Sequence, residues 1–150
     1  MSTNNSYSSA DNPTHTIGFA LKLAQQTLRN HMDTALHQIG LSTPKYAVLA
    51  RLQLAPGASN AELARAVFVT PQTMQAILVG LEKEGLVTRT PHPQHGRIQT
   101  TELTPAGCTA LTKAADLVAD AENRLRAAAE PLSPESVIEL LKRLSQSLRE

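Results

Sequence analysis

Four times in this chain a Ser or Thr stands directly before a Pro at the head of a helix-periodic apolar segment: Thr43-Pro44, Thr70-Pro71, Thr104-Pro105 and Ser133-Pro134. The hydroxyl suits an N-cap, and a first-turn proline loses nothing, because its missing N–H has no acceptor there. These starts predict helices over about 44–54, 71–84, 105–129 and 134–148. A fifth, long helix over about 14–38 is predicted from the stripe Ile17, Leu21, Leu28, Met32 and Leu36, with Gly40 as its stop. At 1.5 Å per residue it is about 37 Å long, more than one small core needs. A short sixth helix begins at Ser59, whose S-x-x-E pattern with Glu62 is a capping box, and ends near Val67.

The stretch from Val69 to Arg97 organises the rest. Met74, Ile77, Leu78 and Leu81 fall at i, i+3, i+4, i+7 and face a core. The opposite face carries Gln72, Thr73, Gln75 and Ala76 and has no acid in its first two turns. Only a tight turn fits between Val67 and Thr70, so the 59–67 and 71–84 helices form a helix-turn-helix. After Gly85, segments 86–90 and 98–103 read as two strands around a hairpin loop stiffened by Pro91 and Pro93. The fold class is therefore mainly α with a small two- or three-stranded β wing.

Composition narrows the function by exclusion. The 150 residues suit one domain and contain one cysteine, too few for a disulfide framework or a cysteine zinc site. No apolar run reaches the roughly 20 residues of a membrane span, and the first residues lack signal-peptide character, so a cytoplasmic protein without membrane association is expected. Residues 1–13, rich in Ser, Asn and Thr, are expected to form a disordered tail. No nucleophile–base pair, paired carboxylates or phosphate-binding glycine loop is present, so neither an enzyme nor a cofactor is expected. His92 and His95 have metal-ligand spacing but no carboxylate or cysteine nearby, and a solvated wing is the better reading. Cys108 shares the spacing of Leu111 and is expected to be buried. The net charge is +1, and between Ser59 and Leu103 the bases Arg65, Lys83, Arg89 and Arg97 are balanced by Glu62, Glu82, Glu84 and Glu102. Any nucleic-acid binding must then depend on where charges sit rather than on their sum.

Several motifs, taken in order, resemble the MarR family of winged helix-turn-helix transcriptional regulators. They are Gly40-Leu41-Ser42-Thr43 ahead of Tyr46-Ala47-Val48-Leu49, Ala61-Glu62-Leu63-Ala64, Val69-Thr70-Pro71, Leu81-Glu82-Lys83-Glu84-Gly85-Leu86-Val87-Thr88-Arg89, and Glu102-Leu103-Thr104-Pro105-Ala106-Gly107. The resemblance covers nearly all of 14–150. It implies a helical dimerisation arm from 14–40 and 105–150 and a DNA-binding lobe over 41–104, with a recognition helix at about 71–84 and a wing at about 86–103. It further implies a homodimeric repressor of a pseudo-palindromic double-stranded operator, released by a small aromatic or phenolic effector. The family's wing tip commonly carries an Asp-Arg-Arg run; here His95-Gly96-Arg97 stands in its place, leaving one arginine and no acid.

Within that frame Gln72, Thr73, Gln75 and Ala76 are candidate base readers, the glutamines pairing with adenine and the methyl groups meeting thymine, which predicts an A·T-leaning operator. Ser59, Asn60, Arg65 and Thr70 are candidate phosphate contacts or caps, Arg89 a backbone clamp, and His95 and Arg97 wing contacts. His31, His37, Tyr46 and Arg51 are candidate effector-binding groups. A helical scaffold that keeps a winged helix without binding DNA is the alternative reading.

Overall fold

The structure, a computed structural model, describes residues 12–149; the expected tail lies, for residues 1–11, outside the described residues. The elements run α1 (Ile17–His37), α2 (Thr43–Leu54), β1 (Ala58–Ser59), α3 (Asn60–Ala66), α4 (Pro71–Lys83), β2 (Val87–Pro91), β3 (Gln99–Leu103), α5 (Pro105–Ala129) and α6 (Pro134–Gln146). No described helix is long and apolar enough to cross a membrane. Three of the four hydroxyl–proline pairs cap as expected: Thr70, Thr104 and Ser133 accept from the N–H groups of Thr73, Gly107 and Ser136. At α2 the cap is Ser42 instead, and Thr43 is the first helical residue. The Asp33 carboxylate of α1 accepts the Thr43 N–H at 2.9 Å, which satisfies that first-turn donor from outside and moves the cap back one residue.

The core lies between α2, α3, α4 and the sheet, with Leu36 of α1 and the first half of α5 closing it. Leu49, Leu52, Leu63, Met74, Leu78, Leu81 and Val87 are fully buried there. The three strands are antiparallel in the order β1-β3-β2, with Ala58 opposite Thr101 and Arg89 opposite Thr101 on its other side. α5 joins this core at a close approach: a Cβ on Gly107 would sit 2.1 Å from the Leu86 carbonyl oxygen, so only glycine fits. The Thr104 N–H donates to that same carbonyl at 3.1 Å, and its hydroxyl donates to the Gly85 carbonyl at 2.6 Å.

Two burial expectations are corrected. Cys108 is exposed. The inward face of α5 is Gly107, Leu111, Ala114 and Ala121, so Cys108 lies one position, about 100°, off it. In the last segment, predicted helical over about 134–148, the spacing of Val137, Leu140, Leu141, Leu144 and Leu148 predicts an inward face, but none of them is buried within the chain; Val137 and Leu144 are half-buried and the others exposed. Ile17, Leu21 and Leu28 of α1 and Leu125 of α5 are exposed as well. These faces run beyond the point where α5 leaves the lobe, so the lobe core cannot cover them.

Candidate nucleic-acid interface

Helices α3 and α4 are joined by a turn in which the Val69 N–H donates to the Ala64 carbonyl at 3.1 Å and Phe68 takes a positive φ of 60°. This turn projects the start of α4 from the lobe, with Gln72, Thr73, Gln75 and Ala76 all exposed. The Thr70 hydroxyl accepts from the Thr73 N–H at 3.1 Å and lies 3.0 Å from the Thr73 hydroxyl, so both side chains are engaged in capping. Ser59 likewise accepts from the Glu62 N–H at 3.2 Å.

Beside α4 a groove of about 470 Å³ runs between the α3 N-terminus and the wing, lined by Ser59, Asn60, Ala61, Gln75, Arg89, Gly96, Arg97, Ile98 and Gln99. It gathers five of the candidates, Ser59, Asn60, Gln75, Arg89 and Arg97, and its lining holds two arginines and no carboxylate. The acids of the lobe are placed elsewhere; Glu84, at the far end of α4, pairs with Lys45 of α2. Near-neutral charge thus conceals a segregated one. Inside the groove the Gln75 Oε1 accepts from Arg89 Nη2 at 3.0 Å and from Asn60 Nδ2 at 3.2 Å. Arg89 Nε and Asn60 Oδ1 are buried without a hydrogen-bond partner. Arg65 and His95 are exposed outside the groove lining.

The wing loop is closed by its own bonds. His92 Nδ1 accepts the Gln94 N–H at 3.0 Å and the His95 N–H at 3.1 Å, while the His92 N–H donates to the Ile98 carbonyl. His92 Nδ1 is therefore engaged in holding the loop. Sequence reasoning missed this role; the only signal was a histidine between two prolines.

The candidate effector residues are more dispersed. His37 lines a shallow cavity of about 530 Å³ at the α1–α2 junction with Arg29, Asp33, Thr34, Leu41, Ser42 and Pro44. His31 is half-buried on α1, Tyr46 packs against the core, and Arg51 is exposed; none of the three lines that cavity. Thr43, its hydroxyl first and its N–H second, holds the Asp33 carboxyl below the ordinary carboxylate range; slight burial opposes this and Arg29 assists. The hydroxyl lies by the carboxylate without a hydrogen bond of good geometry, so the N–H supplies the defined contact.

The MarR family profile matches residues 39–98. A helix-turn-helix transcriptional repressor of Mycobacterium tuberculosis is 39% identical over 102 residues, spanning 68% of this chain and 73% of the repressor. The chain belongs to the MarR family. Among solved structures, the transcriptional repressor CouR bound to a 23-mer DNA duplex is similar at 30% identity and a TM-score of 0.78, covering 91% of this chain and 94% of that one. CouR bound to p-coumaroyl-CoA is similar at 26% identity and a TM-score of 0.77, over 88% and 93%. The helix-turn-helix, three-stranded sheet and wing described above are those of a winged-helix MarR regulator, and this MarR-family chain is a DNA-binding transcription regulator.

Proposed function

We propose that the chain acts in the cytoplasm as a homodimeric repressor that lays α4 of each protomer into a major groove and Arg97 of each wing into the adjoining minor groove. The observation that carries this reading is the groove between α3, α4 and the wing, which presents Arg89 and Arg97 with no carboxylate. A phosphate backbone seated there meets two arginines with no carboxylate in the lining. Two-fold symmetry makes the operator a pseudo-palindrome, and half-sites about 10 bp apart, one helical turn, put both α4 helices on the same face of the duplex. In this reading Gln72 and Gln75 face base edges, Ala76 and Thr73 offer methyl contacts, and Ser59, Asn60 and Arg65 flank the backbone.

An effector of small aromatic or phenolic type fits the cavity at the α1–α2 junction, whose volume of about 530 Å³ lies within the usual range for small-molecule sites. There His37 and Arg29 supply the polar contacts, and the position at the hinge between arm and lobe lets occupancy change lobe spacing. CouR, bound to p-coumaroyl-CoA in one structure and to DNA in another, supports an effector in this role.

The test is binding to a palindromic duplex recovered by in vitro selection, followed by fluorescence anisotropy across a salt series. Affinity should fall as salt rises, and Arg97→Ala should weaken it about tenfold and flatten the logarithmic salt slope by about 1. Unchanged affinity in Arg97→Ala would remove the wing from the interface. No specific binding at low salt would favour the scaffold reading.

A further inference from the structure

We infer that Gln75 reads its base pair through amide donors alone, held in that state by Arg89 and Asn60. The inference rests on the DNA-binding reading above and specifies what one residue of that interface recognises. A guanidinium has donors only, so the Gln75 atom 3.0 Å from Arg89 Nη2 must be Oε1. The Asn60 amide donates to the same oxygen at 3.2 Å. Both lone pairs of Oε1 are then occupied from inside the protein, and the exposed end of Gln75 offers only its two Nε2 hydrogens.

Adenine recognition by glutamine needs both functions, an acceptor for N6–H and a donor for N7. With Oε1 occupied, the adenine amino group would face the Gln75 amino group, donor against donor. Cytosine N4 is disfavoured for the same reason. Guanine presents acceptors at both N7 and O6, and thymine presents O4, so these are the bases that Gln75 accepts. Burial makes the arrangement persistent: Arg89 Nε and Asn60 Oδ1 already lack partners, and turning the Gln75 oxygen outward would leave the half-buried guanidinium with none from this network. Gln72, exposed one turn earlier on α4 and outside this network, keeps both functions for adenine. The A·T preference expected from two glutamines therefore belongs to Gln72, and the Gln75 position favours guanine or thymine.

Arg89 and Asn60 act here as positioning residues, and the test reads sequence preference rather than affinity. In vitro selection from random duplexes with the full chain should yield a palindrome in which one position per half-site enriches guanine or thymine over adenine about tenfold. Gln75→Ala should erase the preference at that position and leave the others. Gln75→Glu, which keeps a partner for Arg89 but presents acceptors, should shift it to cytosine. Arg89→Met, which frees one lone pair of Oε1 and leaves the Asn60 bond on the other, should admit adenine there alone. Adenine enriched at the Gln75-dependent position by the wild-type chain overturns the inference, as does an unchanged preference in both the Glu and Met variants. If the wild-type chain enriches no sequence, the DNA-binding reading fails and this inference with it; a palindrome indifferent to Gln75 sinks this inference alone.

Discussion

Phe68 holds the turn between α3 and α4 at a φ of 60° with 89% of its surface exposed. A left-handed backbone costs a residue with a Cβ roughly 1–2 kcal/mol, and an exposed ring gains almost nothing from burial in return. Glycine tolerates that conformation but gives up more freedom on folding, so part of the gain is offset. Phe68→Gly should raise stability by about 1 kcal/mol, read as a higher urea midpoint at unchanged slope. A lower midpoint would mean that the ring packs against a second protomer. Gly107 shows the opposite constraint: there the Leu86 carbonyl forbids any side chain, and the Gly-Leu and Thr-Pro-Ala-Gly motifs on either side of the hairpin are two halves of one contact.

At the scale of elements, the start of α2 depends on α1 through the Asp33 carboxylate. The folded-state pKa of Asp33 lies below its ordinary 3.8, so the charged form stabilises the fold; that contribution is fully present above 3.8 and is lost as pH falls through the lowered value. Asp33→Asn keeps a neutral acceptor for the Thr43 N–H and removes only the charge. Wild type should exceed it at pH 7 by less than about 1 kcal/mol, since the carboxylate is 41% exposed and screened, and the two should converge once the pH has fallen below the lowered pKa. A gap that persists in acid would assign the effect to side-chain shape instead of charge. The dependence of α2 on Asp33 also marks where the sequence ceased to be legible. Local devices could be read directly: the caps of α4, α5 and α6, the Gly40 and Gly85 stops, and the apolar face of α4. Features set by distant partners could not. The α2 boundary depends on a carboxylate ten residues upstream, and β1 is two residues made a strand only by pairing with β3. The candidate site divides in the same way. Ser59, Asn60, Gln75, Arg89 and Arg97 were identifiable as polar or cationic positions, but the bonds from Asn60 and Arg89 to Gln75 span fifteen and fourteen residues and exist only once α3, α4 and β2 pack.

For the whole molecule the unsettled surface is the arm. α6 buries no residue within the chain, and Ile138, Leu140 and Leu141 are each nearly half exposed, as are Phe19 and Leu28 of α1. Soluble monomers seldom leave contiguous apolar patches larger than a few hundred Å² uncovered, whereas a stable dimer buries about 1,600 Å² in total. In the dimer we propose, a second copy of these helices supplies a cover of matching chemistry and joins two lobes so that the second half-site binds at high effective concentration. Leu141→Glu separates these roles. Because Leu141 is 44% exposed in the single chain, a carboxylate there should change folding stability of an isolated chain by only about 0.5 kcal/mol. In the proposed dimer the same carboxylate falls on the apolar face that the second copy covers, which disfavours association strongly. Sedimentation velocity should then show the variant as a monomer where the wild type is a dimer. Affinity for the full palindrome should fall about a hundredfold or more, toward that for one half-site, as the avidity is lost. A variant that remains dimeric and binds the palindrome as tightly as wild type would place the dimer interface elsewhere than on α6.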